Sequence, residues 1–456
     1  MNLSKLIVAA SLAVMIAAPS HAAVIAVIDS GTDLNHKDLT NKRWYNPKDI
    51  DDAVDNDDNG YIDDVNGWNF AESNNKLFDK TLLGTFSSDC YKYFEVQTRL
   101  LKGTGSAEDL AWIKEAQANE KLMTELETFA NFVHGSHVAG ISSRNADKAQ
   151  LMIIKLIPTK RPTIGPHQKM DELSQAFAGF AKAGASDAVI RQALKLLGAA
   201  QGKALAPIGK YVETEKARVA NCSFGLSTKA AKGVLAPILK MLMRRDATPE
   251  ELETYSIFFV NEVLKSQSIL LTSKQTLFVI AAGNDGSNND VYPASPTNMK
   301  QDNTISVAAT LGYGKLASFS NYGEKMVEVA APGVGIESTI PGNLYLTVSG
   351  TSQASPFVAN LAGLILDENP ALTNAEVKQI LMGTVDLKDF LKGKVASGGI
   401  VNTNRSLMAA KLSRTLSVSE SISSSRLQVN DVQENPTKWN TNGYEGFVMP
   451  LPTLFN

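Results

Sequence analysis

The sequence predicts an α/β fold with a mostly parallel central sheet flanked by helices, and three observations lead there. At 456 residues and 44% hydrophobic, the chain is long enough to bury a sizeable core. Short, continuous apolar runs rich in Val and Ile recur along it, which is how strands covered on both faces read. Stretches of helical character lie between several of those runs, the alternation that builds parallel sheets.

The first run covers residues 24–28, and similar runs occupy 151–154, 277–280, 304–308 and 326–330. In such sheets reactive groups belong at the carboxyl ends of strands, where Asp29 and Asn284 both fall. An acidic loop and a helix-like stretch over 107–132 separate the first two runs. Residues 171–216, rich in Ala, Lys, Leu and Gln, read as two amphipathic helices, and 228–274 as a further helical block. From Leu412 the chain turns Ser-rich, then polar, without periodicity. Residues 413–456 therefore read as a flexible tail, open to removal.

The N-terminus has the form of an export signal. Lys5 precedes the apolar run 6–18, broken only by Ser11, and Ser20 and Ala22 supply the small residues of a cleavage site. The run is too short to span a bilayer. Residues 1–22 are thus expected to be removed, leaving no stable membrane span and a secreted or periplasmic protein that begins at Ala23. A net charge of −3 gives no reason to expect nucleic acid as a partner. Cys90 and Cys222 are compatible with one disulfide in an oxidising compartment, while the apolar run 219–222 suits a buried free thiol equally well.

Three distant segments carry the chemistry: Ala26-Val27-Ile28-Asp29-Ser30-Gly31, His134-Gly135-Ser136-His137-Val138-Ala139-Gly140 and Gly350-Thr351-Ser352-Gln353-Ala354-Ser355-Pro356. Asp, His and Ser in that order resemble the subtilisin-like serine proteases, the subtilases, distinct from the chymotrypsin and α/β-hydrolase orders. The resemblance runs from about residue 24 to about residue 410 and extends to 317–323, 331–333 and 338–343. It implies a three-layer subtilisin-like fold over 23–412, with helical insertions at about 71–131, 171–216 and 228–274.

A serine hydroxyl is a weak nucleophile at its own pKa and needs a base. The resemblance implies Ser352 as nucleophile, His134 as base and Asp29 as the group that holds the His tautomer. Ser352 reads as the start of a helix, with Pro356 expected in its first turn and free backbone N–H groups aimed at a developing oxyanion. His134 is expected at the head of its own helix, and His137, one turn on, to pack. Asn284 matches the family's oxyanion-hole Asn. Ser223, Phe224 and Gly225 match its substrate-binding strand, and with Ala282 and Gly283 would wall a pocket for a large apolar side chain. Gln353 stands where the family commonly has Met, and Ser136 where it has Thr. The family's usual N-terminal prodomain has no room between the expected cleavage site and the first strand.

Asp55-Asn56-Asp57-Asp58-Asn59-Gly60-Tyr61-Ile62-Asp63-Asp64 sets oxygen ligands at alternate positions around a Gly turn. That spacing suits a hard cation, with Asp55, Asp57, Asn59, Asp63 and the Tyr61 carbonyl as ligands of a structural Ca2+. It is no complete EF-hand, because Asn66 occupies the twelfth position. The whole reading is a secreted, calcium-stabilised, monomeric serine endopeptidase acting on protein or peptide substrates. The alternatives are a narrow-specificity processing protease gated by its inserted helices, and a non-catalytic binding module on the same scaffold.

Overall fold

The computed structural model describes residues 23–160, 185–433 and Pro452. The expected export signal, the first part of the helical pair expected over 171–216 and nearly all of the chain beyond 433 lie outside the described residues. The strands are β1 Val24–Asp29, β2 Gly67–Asn69, β3 Gln150–Lys155, β4 Val219–Cys222, β5 Leu226–Ser227, β6 Leu277–Ala281 and β7 Ala294–Ser295. They continue with β8 Thr304–Leu311, β9 Lys315–Leu316, β10 Val329–Pro332, β11 Ile336–Ile340, β12 Leu344–Val348, β13 Asp386–Leu387 and β14 Gly399–Ile400. The helices are α1 Ser88–Leu101, α2 Ala107–Ala118, α3 Glu120–Ser142, α4 Asp187–Thr214, α5 Thr228–Met243 and α6 Pro249–Gln267. Beyond them lie α7 Thr351–Glu368, α8 Asn374–Gly383, α9 Thr403–Leu412 and α10 Val418–Gln428.

The central sheet has the order β13-β14-β10-β8-β6-β4-β1-β3-β2. Every pairing from β14 to β2 is parallel, and only β13 and β9 join antiparallel. Side chains alternate along each strand, so the continuous apolar runs supply both faces. Ile25, Val27, Leu151, Ile153, Leu277 and Val279 pack against Val138 of α3, Val358 of α7, Ile380 of α8 and Ala409 of α9. Ala26, Ile28, Met152, Ile154, Phe278 and Ile280 pack on the opposite side against Leu205, Ile208 and Val212 of α4. The result is three layers, and truncating a fully buried member such as Ile28 to Ala costs about 2–5 kcal/mol. β1 lies between β3 and β4, so the chain order reverses there. The crevice beyond the carboxyl end of β1 is the ligand site such a topology provides.

The inserted helices build cores of their own. Tyr93, Phe94, Ile113, Leu126 and Phe129 of α1–α3 pack with Ile340 and Leu346 of the β11–β12 hairpin. Ile190 and Leu194 of α4 pack with Leu235 and Leu239 of α5 and Phe259 and Val263 of α6. Cys90 lies in the first of these satellites and Cys222 on the sheet, and both are buried free thiols. Burial pushes the Cys90 thiol up to about 11 and raises that of Cys222 as well.

Two expectations need correction. The run 326–330 enters the sheet only at Val329, because Glu328 turns inward, accepts from Ser306 N at 2.8 Å and meets Lys378 Nζ at 3.3 Å. The polar stretch after Leu412 does not leave the body at once. Ser417 and Glu420 form a capping box that starts α10, and Ile422 packs on the main core. Buried Arg405 then ties Asp386 at 2.9 Å to Asp431 at 2.7 Å. Among the described residues no helix is long and apolar enough to cross a membrane.

Candidate active site

Asp29 ends β1 at the switch point and is only 1% exposed. Its Oδ1 accepts from Ser30 N at 2.7 Å and lies 2.6 Å from Nδ1 of His134. Ser30 Oγ donates to Asn131 O at 2.5 Å and accepts from Gly135 N at 3.2 Å, clamping α3 to the end of β1. The approach is close enough that a Cβ on Gly135 would stand 2.1 Å from Gly31 O, which only glycine tolerates.

His134 does not head a helix as expected. α3 starts at Glu120, capped by Asn119, and His134 sits well inside it. Leu122, Leu126 and Phe129, buried in the satellite core, repay the extra turns. His137 packs, as expected: its Nε2–H faces Ile336 O at 3.1 Å and Leu346 O at 3.0 Å. Burial pushes its pKa down to about 3, so the ring is neutral. Its Nδ1 accepts from Gln353 Nε2 at 3.4 Å. The departure at Gln353 thereby links α3, which carries His134, to α7, which carries Ser352.

Ser352 is the second residue of α7 and is 3% exposed. Pro356 falls in the second turn, not the first, and with no N–H it leaves the Ser352 carbonyl without its helical donor. Ser223, just past β4, supplies the substitute: its Oγ donates to Ser352 O at 3.2 Å. Ser352 Oγ in turn donates to Ser223 O at 3.4 Å. Asn221 Nδ2 donates to Ser223 Oγ at 2.9 Å, and Asn221 Oδ1 accepts from Ser355 Oγ at 2.8 Å.

Asn284 closes the far side. Its Oδ1 accepts from Thr351 N at 2.9 Å and Thr351 Oγ1 at 2.8 Å, which aims Nδ2 the other way. A point one Cβ out from Gly350 lies 3.4 Å from Asn284 Nδ2 and 3.6 Å from Ser352 N, so both nitrogens border one small volume. The strand-to-loop turn is held by residues to which the sequence assigned no role. Asn321 Oδ1 accepts from Asp285 N and Ser287 N, its Nδ2 donates to Asn289 Oδ1, and Asn289 Nδ2 donates to Ala282 O. Gly283, at φ 114°, lies so near that a Cβ would be 2.4 Å from Asn321 Nδ2.

Gly225, Leu226, Ala230, Gly283, Asn284 and Asp285 line a cavity beside Ser352, with Asp285 its only charged side chain. Of the expected substrate residues, Gly225 and Gly283 reach this cavity. Phe224 is buried in the sheet core, Ser223 is occupied with α7, and Ala282 packs with Ala308 and Ile400.

In the acidic loop, Asp55 accepts from Asn59 N and Gly60 N, and Asp63 from Asp52 N and Ala53 N. Asn59 Oδ1 accepts from Tyr61 N, and the Tyr61 ring packs on Trp68, Phe70 and Tyr211. Asp57 Oδ2 faces Asn46 Nδ2 at 3.3 Å, while its Oδ1 is buried without a partner. Asp64, for which the sequence suggested no role, is fully buried between Asn46 and Asn59, and burial raises its pKa. Among the described residues no three His, Cys, Asp or Glu side chains close on one point. A cation here would have to draw on Asn and carbonyl oxygens as well.

A family model described as the subtilase family matches residues 20–399. A thermophilic serine proteinase from Bacillus sp. strain AK1 is 47% identical over 114 residues, 25% of this chain and 26% of that protein. Subtilisin NAT from Bacillus subtilis subsp. natto is 41% identical over 128 residues, 27% of this chain and 31% of the relative. The chain thus matches less than a third of the length of these curated relatives. Among solved structures, a cold adapted subtilisin-like serine proteinase aligns over 84% of this chain and 88% of its own, at 18% identity and a TM-score of 0.44. The epidermin leader peptide processing serine protease of Staphylococcus aureus aligns over 84% and 75%, at 16% identity and a TM-score of 0.45. With the family model matched across most of its length, the chain belongs to the subtilase family.

Proposed function

We propose that this chain is a serine endopeptidase that hydrolyses peptide bonds in protein or peptide substrates through an acyl-enzyme. The observation that carries the reading is the 2.6 Å contact between Asp29 Oδ1 and His134 Nδ1. The carboxylate keeps the proton on Nδ1 and leaves Nε2 as the base. Ser352 Oγ exchanges its long bond to Ser223 O for His134 and attacks the scissile carbonyl carbon. The Oγ–C bond forms as the proton passes to His134 Nε2. That proton then goes to the leaving amine as the C–N bond breaks. Water repeats the sequence on the ester and frees Ser352. Ser352 N–H and Asn284 Nδ2 receive the oxyanion in both halves.

An extended substrate pairs with the edge at Gly225 and sets a large apolar side chain before the cleaved bond against Gly283, where the narrow cavity opens to admit it. The proposal includes export, with residues 1–22 removed, and action as a monomer. It also includes one structural Ca2+ at Asp55, Asp57, Asn59, Asp63 and the Tyr61 carbonyl. The all-oxygen donors and the unpartnered, buried Oδ1 of Asp57 support that site, and no chemical step passes through it.

The test is labelling with a serine-directed fluorophosphonate, with the modified residue mapped. Label on Ser352 in the protein and its loss in His134→Ala is the expected result. A folded protein that leaves Ser352 unlabelled would refute the reading.

A further inference from the structure

The backbone edge assigned to the substrate, which lies between β4 and β5 and not in a strand as expected, already has a partner within the chain. Gly225 N–H donates to the carbonyl of Pro452 at 2.9 Å, and Pro452 is buried. Gly225 is one of the two expected substrate residues that reach the cavity beside Ser352. A backbone bond from that edge to an incoming carbonyl is what an extended peptide makes when it adds to a strand. Proline offers a carbonyl and no N–H, so Pro452 can accept from the edge but cannot complete a ladder.

The sequence around Pro452 differs from what precedes it. Residues 430–445 are polar, whereas 446–456 contain no Lys, Arg, Asp or Glu and include Met449, Leu451, Leu454 and Phe455. Those side chains are apolar, as are Leu226, Ala230 and Ala294 of the cavity, whose lining also includes Ser227, Asn284, Asp285, Ser295 and Thr297. Met449 and Leu451 each precede a proline, which biases both toward extended backbone and lowers the entropy cost of pairing with a strand. The chain between Gln433 and Pro452 reaches about 60 Å when extended, enough to cross a domain of this size.

We infer that the segment carrying Pro452 occupies the substrate groove of its own chain and shields Ser352 from other peptides until it is displaced or cut away. The inference rests on the protease reading for its consequence, though not for the contact itself. It identifies an element that can do the shielding usually assigned to a prodomain.

Two readouts test it. In full-length Ser352→Ala protein, hydrogen exchange at the Gly225 amide is expected to be slow. Adding Pro452→Asp, which puts an unpaired carboxylate where a buried proline stood, should speed that exchange roughly ten-fold or more, independently of protein concentration. In the active protein, Pro452→Asp should raise the rate of fluorophosphonate labelling of Ser352 by a similar factor. A fluorescent peptide of residues 446–456 should bind the Pro452→Asp protein and not the unaltered one. Equal exchange rates with and without the substitution would overturn the inference, and concentration-dependent protection would overturn its intramolecular form. A failure of the protease reading shows separately, as no label in either active form while exchange still reports the contact.

Discussion

Ser223→Ala removes a hydroxyl that does two jobs near Ser352. Its Oγ donates to Ser352 O at 3.2 Å and accepts from Asn221 Nδ2 at 2.9 Å, and all three residues are buried. Without it a carbonyl and an amide N–H are stranded, each costing about 1–3 kcal/mol. Some relaxation is expected, so the loss should be about 3 kcal/mol. The Ser352 carbonyl needs Ser223 only because Pro356 lacks the N–H of an ordinary helical residue. Pro356→Ala restores that donor and should make Ser223→Ala less costly by about 1–2 kcal/mol. A double-mutant cycle on denaturant unfolding, run in Ser352→Ala protein to prevent self-digestion, measures the coupling. The backbone carbonyl concerned is retained in that background. Strict additivity of the two substitutions would refute the argument that Ser223 replaces the missing helical donor.

Asn284→Ala should lower kcat by about 10²–10³ with little change in KM, the usual loss for one oxyanion donor, and a fall in KM-limited binding alone would contradict its role. His137 is held neutral with a pKa of about 3 against an ordinary value near 6.5, so the folded state binds fewer protons than the unfolded one. Its contribution is therefore fully present above about pH 6.5 and disappears as pH falls toward 3, at most on the order of 4–5 kcal/mol. His137→Gln keeps a donor for Ile336 O and Leu346 O, and acid titrations of stability should be shallower in that variant. Identical slopes would count against the assignment. Chelation should lower Tm if Ca2+ sits in the acidic loop, by the equivalent of about 2.7 kcal/mol when calcium was at 100 times its Kd. Asp57→Asn should abolish most of that difference, and a Tm indifferent to chelator would exclude the site.

Much of the fold was legible because its signals are local. Continuous apolar runs marked strands of the sheet, the last of them only from Val329, and Asp29 ends β1 while Asn284 lies just past β6. The segment before Leu226 was less legible: β4 is only Val219–Cys222, too short to separate from a buried helix segment by pattern alone. The stretch after Leu412 was misread because Ser-rich composition outweighed the Ser417–Glu420 capping box, a signal that was present. The start of α3 falls within the helix-like stretch 107–132, with Asn119 as an ordinary N-cap, but no local signal showed that the helix continues past His134. The acidic loop was located by its spacing. Which carboxylates turn inward was not, since Asp63 is spent on backbone N–H groups and Asp64 is buried.

The sequence by itself determined the layered α/β class and the family resemblance, and it singled out Asp29, His134 and Ser352 as the expected reactive residues. Those depend on side-chain type and on periodicities read over a few residues. Only the tertiary structure decided what holds those residues in place. Ser223 reaches Ser352, Gln353 reaches His137, Asn321 cradles the Asn284 turn and Gly225 meets Pro452. Each of these contacts joins positions far apart in the chain. They exist because sheet order and helix packing bring strand ends together, and no local pattern encodes which distant polar group will be there to satisfy another.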